Sequence, residues 1–454
     1  MSMQSVNPAN GKTINSFETW NQDTLEQALQ QVHDASLDWA NTPMSDRCDL
    51  MRKAADTLLQ RKQDYADIIT REMGKLIGES IAEIEKCASV CQFYADKGPE
   101  FLADEIIESD ASRSLVAYQP LGTVLAVMPW NFPFWQVFRF AAPGLIAGNT
   151  GLLKHASNVP GCAQAIESVF KDSGFPDHVF RSLMIPSSMV AAVIEDERVQ
   201  AVTLTGSEPA GKAVAKTAGQ ALKKSLLELG GSDAFIVLED ADLDLTIDQA
   251  VLSRYMNCGQ SCIAAKRFIV VDEIAEQFLD KFSERVKQLQ PGDPGDDQTS
   301  LAPMARMDLR DELHQQVVDS VDAGAVAALG CQPIDGEGAY YEASILDHVK
   351  PGMRAYDEEL FGPVAIVIRA NDEQVAIEIA NSSRFGLGGS VWTQDSQRGE
   401  RVARQLQCGC AFVNGLVKSD PRLPFGGIKA SGYGRELSAH GIREFVNAKT
   451  IWIR

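Results

Sequence analysis

Positive charge is scarce in this 454-residue chain, which has 42 lysines and arginines against 62 aspartates and glutamates and a formal net charge of −20. Such a charge disfavours binding to nucleic acid or to an anionic membrane surface. No uncharged apolar run reaches the roughly 20 residues that a membrane helix needs. The segment from Met1 to Val6 is neither basic nor strongly apolar, so we expect no secretion signal and a cytoplasmic protein.

Metal-binding patterns are missing as well. The six histidines never fall at the spacing of metal ligands, and no Cys-x-x-Cys occurs, so we expect no metal site. Nine cysteines, an odd number without the spacing of a disulfide framework, indicate a reducing compartment. The composition, 45% hydrophobic and 23% charged, is typical of a globular protein, and the length predicts two or three domains.

The period of the apolar residues changes along the chain. Residues 22–107 carry them at helical spacing, as at Leu25, Ala28, Leu29 and Val32. From residue 114, short apolar strands alternate with helices, which predicts an α/β fold of βαβ units with parallel sheets. The predicted strands are 114–119, 123–128, 150–154, 179–184, 200–204, 234–238, 267–271, 363–369 and 410–414, and the predicted helices between them are 158–172, 187–195, 207–219, 244–257 and 274–289.

Three segments together carry the parts that acyl transfer through a thiol requires. Cys262, in the run Asn-Cys-Gly-Gln-Ser-Cys, is a candidate nucleophile. Asn131, held between two prolines, is a candidate donor to an oxyanion, together with the Cys262 backbone N–H. Glu228, in an apolar stretch before two glycines, is a candidate general base. Each residue alone has an ordinary structural interpretation, but their combination predicts an enzyme that transfers an acyl group through a thiol.

In their order and their local sequences, these segments resemble the aldehyde dehydrogenase superfamily. The resemblance extends from Val6 almost to the C-terminus. The resemblance implies two open α/β domains and a β arm for oligomerisation. We expect a Rossmann-type cofactor domain of residues 1–113 and 126–230, a catalytic domain of residues 231–430, and an arm of residues 114–125 and 440–454. It also implies a homodimer or a dimer of dimers, in which the apolar tail Thr450 to Ile453 extends a sheet across subunits.

The resemblance also implies a nicotinamide cofactor. The glycine turn after residues 202–205 opens a helix, as a pyrophosphate site does, although the usual fingerprint of three spaced glycines is absent. Glu359 and Phe361 match residues that hold the nicotinamide ribose and ring, and Lys154 matches a ligand of the adenosine ribose. The full set of expected cofactor residues is Trp130, Lys154, Ser157, Thr205, Gly206, Ser207, Gly211, Leu229, Glu359 and Phe361.

Ser157 predicts which cofactor is preferred. Many relatives that prefer NAD have a glutamate three residues after the lysine that Lys154 matches, and Ser157 stands there in this chain. A carboxylate would repel a 2′-phosphate, whereas Ser157 can donate to it and Lys154 can pair with it. The sequence therefore predicts NADP as the preferred cofactor, with NAD still usable.

The expected substrate is succinate semialdehyde. Arg139, eight residues after Asn131 in an aromatic run, matches an arginine of succinate-semialdehyde dehydrogenases, and a guanidinium is well suited to a substrate carboxylate. Trp135 and Ser419 are expected to complete that site. A second arginine of some relatives is replaced here by Met256, and Arg254 lies two residues further from Cys262. Another small aliphatic or carboxylated aldehyde, such as glutarate semialdehyde, therefore remains an alternative substrate.

Two other functions and one open question remain at this point. A CoA-acylating dehydrogenase would pass the acyl group to a thiol instead of water, and its relatives generally lack the glutamate that Glu228 matches. A structural homologue without activity would tolerate loss of Cys262, Asn131 and Glu228, yet all three are present. Cys258, four residues before Cys262, is either a packing residue or a partner in a redox disulfide.

Overall fold

The computed structural model describes residues 2–454 and has an α/β architecture. Its helices are α1 (Gln22–Asn41), α2 (Met44–Gln60), α3 (Lys62–Met73), α4 (Ile77–Phe101), α5 (Trp135–Ile146), α6 (Pro160–Asp172), α7 (Val190–Glu195), α8 (Glu208–Gln220), α9 (Leu243–Tyr255), α10 (Ala275–Val286), α11 (Met307–Asp322), α12 (Arg354–Asp357), α13 (Glu373–Asn381), α14 (Ser396–Ala403) and α15 (Ser438–Glu444).

The strands are β1 (Ser2–Val6), β2 (Thr13–Glu18), β3 (Glu105–Ile106), β4 (Arg113–Pro120), β5 (Thr123–Met128), β6 (Thr150–His155), β7 (Phe180–Ser182), β8 (Val199–Thr205), β9 (Lys224–Glu228), β10 (Asp233–Val237), β11 (Ala265–Val271), β12 (Val326–Leu329), β13 (Ser344–Asp347), β14 (Val364–Ala370), β15 (Phe385–Gly386), β16 (Gly388–Trp392), β17 (Cys410–Val413), β18 (Ile428–Lys429), β19 (Gly432–Tyr433) and β20 (Val446–Ile453).

The N-terminal helices bury the apolar faces that their sequence predicts. In α1 the buried residues include Leu25, Ala28, Leu29 and Val32, which pack on one face of a six-stranded sheet. The Asn21 side chain caps this helix by accepting the Thr24 backbone N–H at 2.8 Å. Helices α2, α3 and α4 pack against one another, and α2 and α4 also pack on α5.

The six-stranded sheet has the order β19-β9-β8-β5-β6-β7 and is parallel except for β19. Its central strands are buried on both faces, which explains their nearly continuous apolar sequences. Because parallel strands end at one edge, the segments that follow β5, β6, β8 and β9 lie together. These segments carry Asn131, Ser157, Gly206 and the Glu228 carboxylate, so the topology itself gathers the residues that the sequence singles out.

The seven-stranded sheet has the order β12-β13-β14-β11-β10-β16-β17, and only β12 is antiparallel to its neighbour. Two apolar clusters cover its faces, one of them built around Phe235, Phe268 and Trp392. The loop that carries Cys262 connects α9 to β11 of this sheet. The nucleophile and the general base therefore come from different sheets.

A third sheet pairs β20 antiparallel to β4, from Val446 opposite Pro120 to Ile453 opposite Arg113, with β3 on the other side of β4. This is the segment expected to form an oligomerisation arm. Residues 123–125, which we expected in the arm, instead belong to β5 of the six-stranded sheet. The chain changes sheets at Gly122, whose φ of 122° favours glycine.

No helix within residues 2–454 is long and apolar enough to cross a membrane.

Candidate active site

Cys262 lies in a tight loop after α9. A 3-10 helix, Met256–Gly259, precedes it, and Asn257 and Cys258 adopt left-handed backbone conformations with φ of 54° and 53°. The Glu79 carboxylate of α4 accepts the Asn257 backbone N–H at 3.1 Å, which holds this unusual conformation. All nine cysteines are free, and Cys258 is buried.

The Cys262 side chain stands where two cavities meet. One is a cleft of about 1000 Å³, open to solvent, which Cys262 shares with Asn131 and Gln136. The other is a cavity of about 840 Å³, which Cys262 shares with Gln136 and Arg139. A nucleophile at this junction can contact a molecule on either side. We call these spaces the nucleotide cleft and the substrate cavity.

The environment of the thiol disfavours its ionised form. Burial raises the pKa of Cys262 to about 12, while the positive charges of Arg139 and Lys266 act in the opposite direction. The Lys266 ammonium donates to the carbonyls of Ser261 and Cys262 at 2.7 and 2.9 Å and pairs with Glu359 at 3.0 Å. In the protein alone Cys262 is therefore a neutral thiol, and attack on a carbonyl requires a base or a further positive charge.

Asn131 is buried and held from both sides. Its Nδ2 donates to the Gln260 carbonyl at 3.1 Å, and its own carbonyl accepts Asn257 Nδ2 at 2.7 Å. These two bonds tie the loop after β5 to the loop that carries Cys262. An amide nitrogen has two hydrogens, so one stays available to an oxyanion beside Cys262.

Glu228 is the last residue of β9 and is buried, with no hydrogen-bond partner for either carboxylate oxygen within residues 2–454. Burial, and then the neighbouring Glu436 carboxylate, raise the pKa of Glu228 well above the usual range, while Arg139 lowers it. Arg139 itself pairs with Glu436 at 2.8 Å. Glu228 is thus a carboxyl group that holds a proton more tightly than usual, as a general base near neutral pH requires.

The nucleotide cleft gathers most of the expected cofactor residues, namely Trp130, Thr205, Gly206, Ser207, Leu229, Glu359 and Phe361. The Trp130 and Phe361 rings meet edge to face, with centroids 5.8 Å apart. Gly211 does not line the cleft, but a Cβ added to it would come within 2.6 Å of the side chain of Leu229, which does. The Ser207 side chain does not cap α8. The backbone N–H groups at the start of this helix suit the phosphates of a dinucleotide.

Lys154 and Ser157 lie at the far end of β6 and do not line the cleft. Lys154 is buried, its Nζ donates to the His155 carbonyl at 2.8 Å, and burial lowers its pKa. No carboxylate in residues 2–454 forms an ion pair with it. Ser157 is exposed in the loop that follows. An unpaired lysine beside an exposed hydroxyl, next to a helix start, fits a phosphorylated ribose.

The substrate cavity brings together Trp135, Arg139 and Ser419, the three expected substrate residues, and Met256 also lines it. Trp135 Nε1 donates to Ser419 Oγ at 3.1 Å. Arg139 is buried, pairs with Glu436 and stacks over Phe425. Arg254 is fully buried and donates to backbone carbonyls, including that of Gly259 at 2.8 Å. Some relatives have a second arginine at the position of Met256, and Arg254 therefore does not take over its role.

Sequence reasoning missed three charged residues of the site: Glu436, Lys266 and Lys86. Glu436 follows β19, whose antiparallel pairing sets Gly432 opposite Glu228. Lys266 is in β11, and Lys86 is in α4, where its Nζ contacts Ser419. Lys266 follows Cys262 by four residues, a short spacing that could have drawn attention to it. Glu436 and Lys86 are remote in sequence from the residues they approach.

Comparison with known proteins agrees with this geometry. The model of the aldehyde dehydrogenase family matches residues 1–451. The chain belongs to the aldehyde dehydrogenase family. Its α/β fold, with parallel sheets, is that of this family, and the chain is an oxidoreductase.

Individual relatives narrow the comparison within the aldehyde dehydrogenase family. The chain is 49% identical, over the full length of both proteins, to a probable NADP(+) succinate-semialdehyde dehydrogenase of Synechocystis. It is 47% identical to the NAD(P)+ succinate semialdehyde dehydrogenase Sad of Escherichia coli, covering 99% and 97% of the two chains. A crystal structure of succinic semialdehyde dehydrogenase from Streptococcus pyogenes with NADP+ matches with a TM-score of 0.98 at 37% identity, covering 99% of each chain.

Proposed function

We infer that this aldehyde dehydrogenase oxidises succinate semialdehyde to succinate with NADP, and with NAD less effectively. The observation that carries this conclusion is the position of Cys262 at the junction of the nucleotide cleft and the substrate cavity. Full-length relatives at 47–49% identity are succinate-semialdehyde dehydrogenases that use NADP or both cofactors.

In the first half of the reaction we propose that the Cys262 sulfur attacks the aldehyde carbon. The oxyanion that forms would accept a bond from Asn131 Nδ2 and from the Cys262 backbone N–H. Bound NADP supplies a hydride acceptor in the nucleotide cleft. Cys262 is then left as a thioester of the acid. The raised pKa of the thiol means that a base has to remove its proton first. The carboxylates of Glu359 and Glu228 both act on Cys262, and Glu228 is the buried one, whereas Glu359 is paired with Lys266.

In the second half, we propose that Glu228, after releasing the thiol proton to solvent, takes a proton from the water that attacks the thioester. Cleavage of the C–S bond then releases the acid and restores the Cys262 thiol. A desolvated carboxylate with a raised pKa is suited to this transfer. The same residue favours hydrolysis over transfer to CoA, because a CoA-dependent enzyme has no need to activate water.

We propose that Lys154 and Ser157 hold the 2′-phosphate of NADP. Lys154 lies near the carboxyl end of β6 and Ser157 follows that strand, and no carboxylate pairs with Lys154 in residues 2–454. On the substrate side, we propose that Arg139, Trp135 and Ser419 surround the distal end of the aldehyde. Glutarate semialdehyde is the alternative substrate, since it carries the same two groups on a longer chain.

The test of the function is the increase in absorbance of the reduced cofactor. The purified protein is given succinate semialdehyde, glutarate semialdehyde or butanal, with NADP or NAD, with and without CoA. We expect the highest kcat/KM for succinate semialdehyde with NADP, and no dependence on CoA. A preference for butanal would refute the assignment of a carboxylated substrate, and a requirement for CoA would refute hydrolysis.

We also propose that the protein is a homodimer or a dimer of dimers. Strand β20 forms one edge of the three-stranded sheet, and its Trp452 and Ile453 are 51% and 45% exposed. An exposed apolar edge strand invites pairing with another chain. Light scattering coupled to size-exclusion chromatography measures the mass directly, and a monomer would refute the proposal.

A further inference from the structure

Lys86 projects from α4 into the wall of the substrate cavity. Its ammonium lies 4.2 Å from the centroid of the Trp135 ring and donates to Ser419 Oγ at 2.9 Å. Three residues from separate parts of the chain thus form one cluster, which we call the Lys86 cluster (Lys86, Trp135 and Ser419). Lys86 and Trp135 contribute only hydrogen-bond donors to this cluster.

The hydrogen-bond arrangement leaves donors directed at the cavity. Ser419 Oγ accepts both from Lys86 and from Trp135 Nε1. A hydroxyl oxygen that accepts two bonds still has its own hydrogen to donate. No acceptor for that hydrogen is found in residues 2–454, and Lys86 uses one of its three N–H groups in the cluster. The Lys86 cluster therefore offers an O–H and charged N–H donors to an anion, and it contains no carboxylate.

Lys86 differs from Arg139 and Lys75, two other cations that line the cavity, because each of those has a carboxylate partner. Arg139 is paired with Glu436 at 2.8 Å, and Lys75 is paired with Glu83. Glu79, a further acid of the wall, accepts the Asn257 backbone N–H, and burial raises its pKa. No carboxylate in residues 2–454 forms an ion pair with Lys86. Its positive charge, on a half-buried side chain, is the one that a ligand would have to balance.

The surroundings of the ammonium change its proton affinity. Burial, followed by the positive charge of Arg139, lowers the pKa of Lys86 to about 8, while Cys87, Glu83 and Asp420 act in the opposite direction. A bound anion would relieve the same desolvation and repulsion. An aldehyde that reacts at Cys262 occupies the same cavity, so its remote end meets the wall that contains Lys86.

We propose that Lys86, acting with the Ser419 hydroxyl, binds the distal carboxylate of the substrate and sets the preference for a carboxylated aldehyde over a neutral one. This inference rests on the proposed function, since it names the residue that recognises that substrate. Lys86 supplies the net charge, because the charge of Arg139 is largely cancelled by Glu436.

The test compares Lys86→Met, which keeps the length of the side chain without its charge, with Lys86→Arg, which keeps the charge. Lys418→Met is the matched control, because Lys418 is an exposed lysine at the rim of the same cavity. For Lys86→Met we expect KM for succinate semialdehyde to rise by roughly ten- to a hundredfold, as for loss of a charge-assisted bond, with little change in kcat. Butanal oxidation should be nearly unchanged, and Lys86→Arg should recover most of the loss.

A second measurement does not depend on turnover of the charged substrate. Succinate carries the same carboxylate, so its inhibition of butanal oxidation reports binding to the Lys86 cluster. We expect the inhibition constant to rise in Lys86→Met and to stay the same in Lys418→Met. If the wild-type protein prefers butanal, the proposed function is wrong. If it prefers succinate semialdehyde and Lys86→Met keeps that preference and the succinate inhibition, only the role of Lys86 is overturned.

Discussion

The guanidinium of Arg139 lies 2.8 Å from the carboxylate of Glu436, and the two side chains are only 2% and 4% exposed. Glu436 raises the pKa of Glu228, and Arg139 lowers it. This buried pair therefore adjusts the proton affinity of the proposed general base from both directions. It also means that Arg139 cannot be altered without affecting the charge balance around Glu228.

We predict that Glu436→Gln shifts the pH dependence of thioester hydrolysis to lower pH. The substitution removes the neighbouring negative charge and leaves Arg139, so the pKa of Glu228 falls. A general base is active when deprotonated, so the rate rises with pH through its pKa, and the rise should begin earlier in the variant. Single-turnover hydrolysis rates across pH measure this.

The matched control is Glu444→Gln, in which a carboxylate paired with Lys224 at 3.1 Å is neutralised in the same region. It should leave the hydrolysis profile close to that of the wild type. A profile of Glu436→Gln that stays in place, or moves to higher pH, would contradict the coupling between Glu436 and Glu228.

For Cys262→Ala we expect no measurable dehydrogenase activity with fold and NADP affinity nearly intact, because the change removes one sulfur from a cavity wall. Cys258→Ala is the matched control, since Cys258 is a buried thiol four residues away and burial raises its pKa. It should retain most of the activity. Turnover is measured by absorbance and cofactor affinity by fluorescence titration; appreciable turnover by Cys262→Ala would exclude Cys262 as the nucleophile.

The sequence predicts the order of helices and strands well where the apolar period is long. Strands β5, β6 and β8, and helices α6 and α8 that follow the last two, lie where the alternation places them, and β20 includes the apolar tail of residues 450–453. Strands of two residues, such as β15, β18 and β19, have no period of their own and exist because a partner strand pairs with them. No pattern within residues 385–386 or 428–433 could reveal them.

The same distinction applies to the candidate site. Cys262, Asn131 and Glu228 stand out because each lies in a short motif that can be read locally. Glu436 gains its position through β19, which pairs with β9 across about 200 residues of chain. Lys86 lies on a helix with no motif around it, and only the folded cavity shows that no carboxylate of residues 2–454 pairs with it.

Ser157→Glu should raise KM for NADP by an order of magnitude or more while changing KM for NAD little or favourably. The carboxylate would lie beside the 2′-phosphate, repel it and compete for Lys154. Ser157→Ala is the matched control, because it removes the hydroxyl without adding charge and should cost less than the glutamate. Initial rates with each cofactor decide the matter. The interpretation of Ser157 is wrong if the wild type uses NAD much better than NADP. It is also wrong if Ser157→Glu raises KM for both cofactors equally.

The prediction for Arg139 needs a background in which Glu436 carries no charge. Arg139→Met alone would leave Glu436 buried without its partner beside Glu228, and a buried unpaired carboxylate would impair oxidation of any aldehyde. We therefore compare Arg139→Met/Glu436→Gln with Glu436→Gln alone, so that the two proteins differ only at Arg139.

If Arg139 contacts the distal carboxylate, the double variant should lose roughly tenfold or more in kcat/KM for succinate semialdehyde relative to Glu436→Gln. Its kcat/KM for butanal, which has the same chain length and no carboxylate, should fall much less, because loss of the Arg139 charge beside Glu228 affects both substrates alike. Equal losses on the two substrates would show that Arg139 has a structural role in the buried pair and leave recognition of the carboxylate to Lys86.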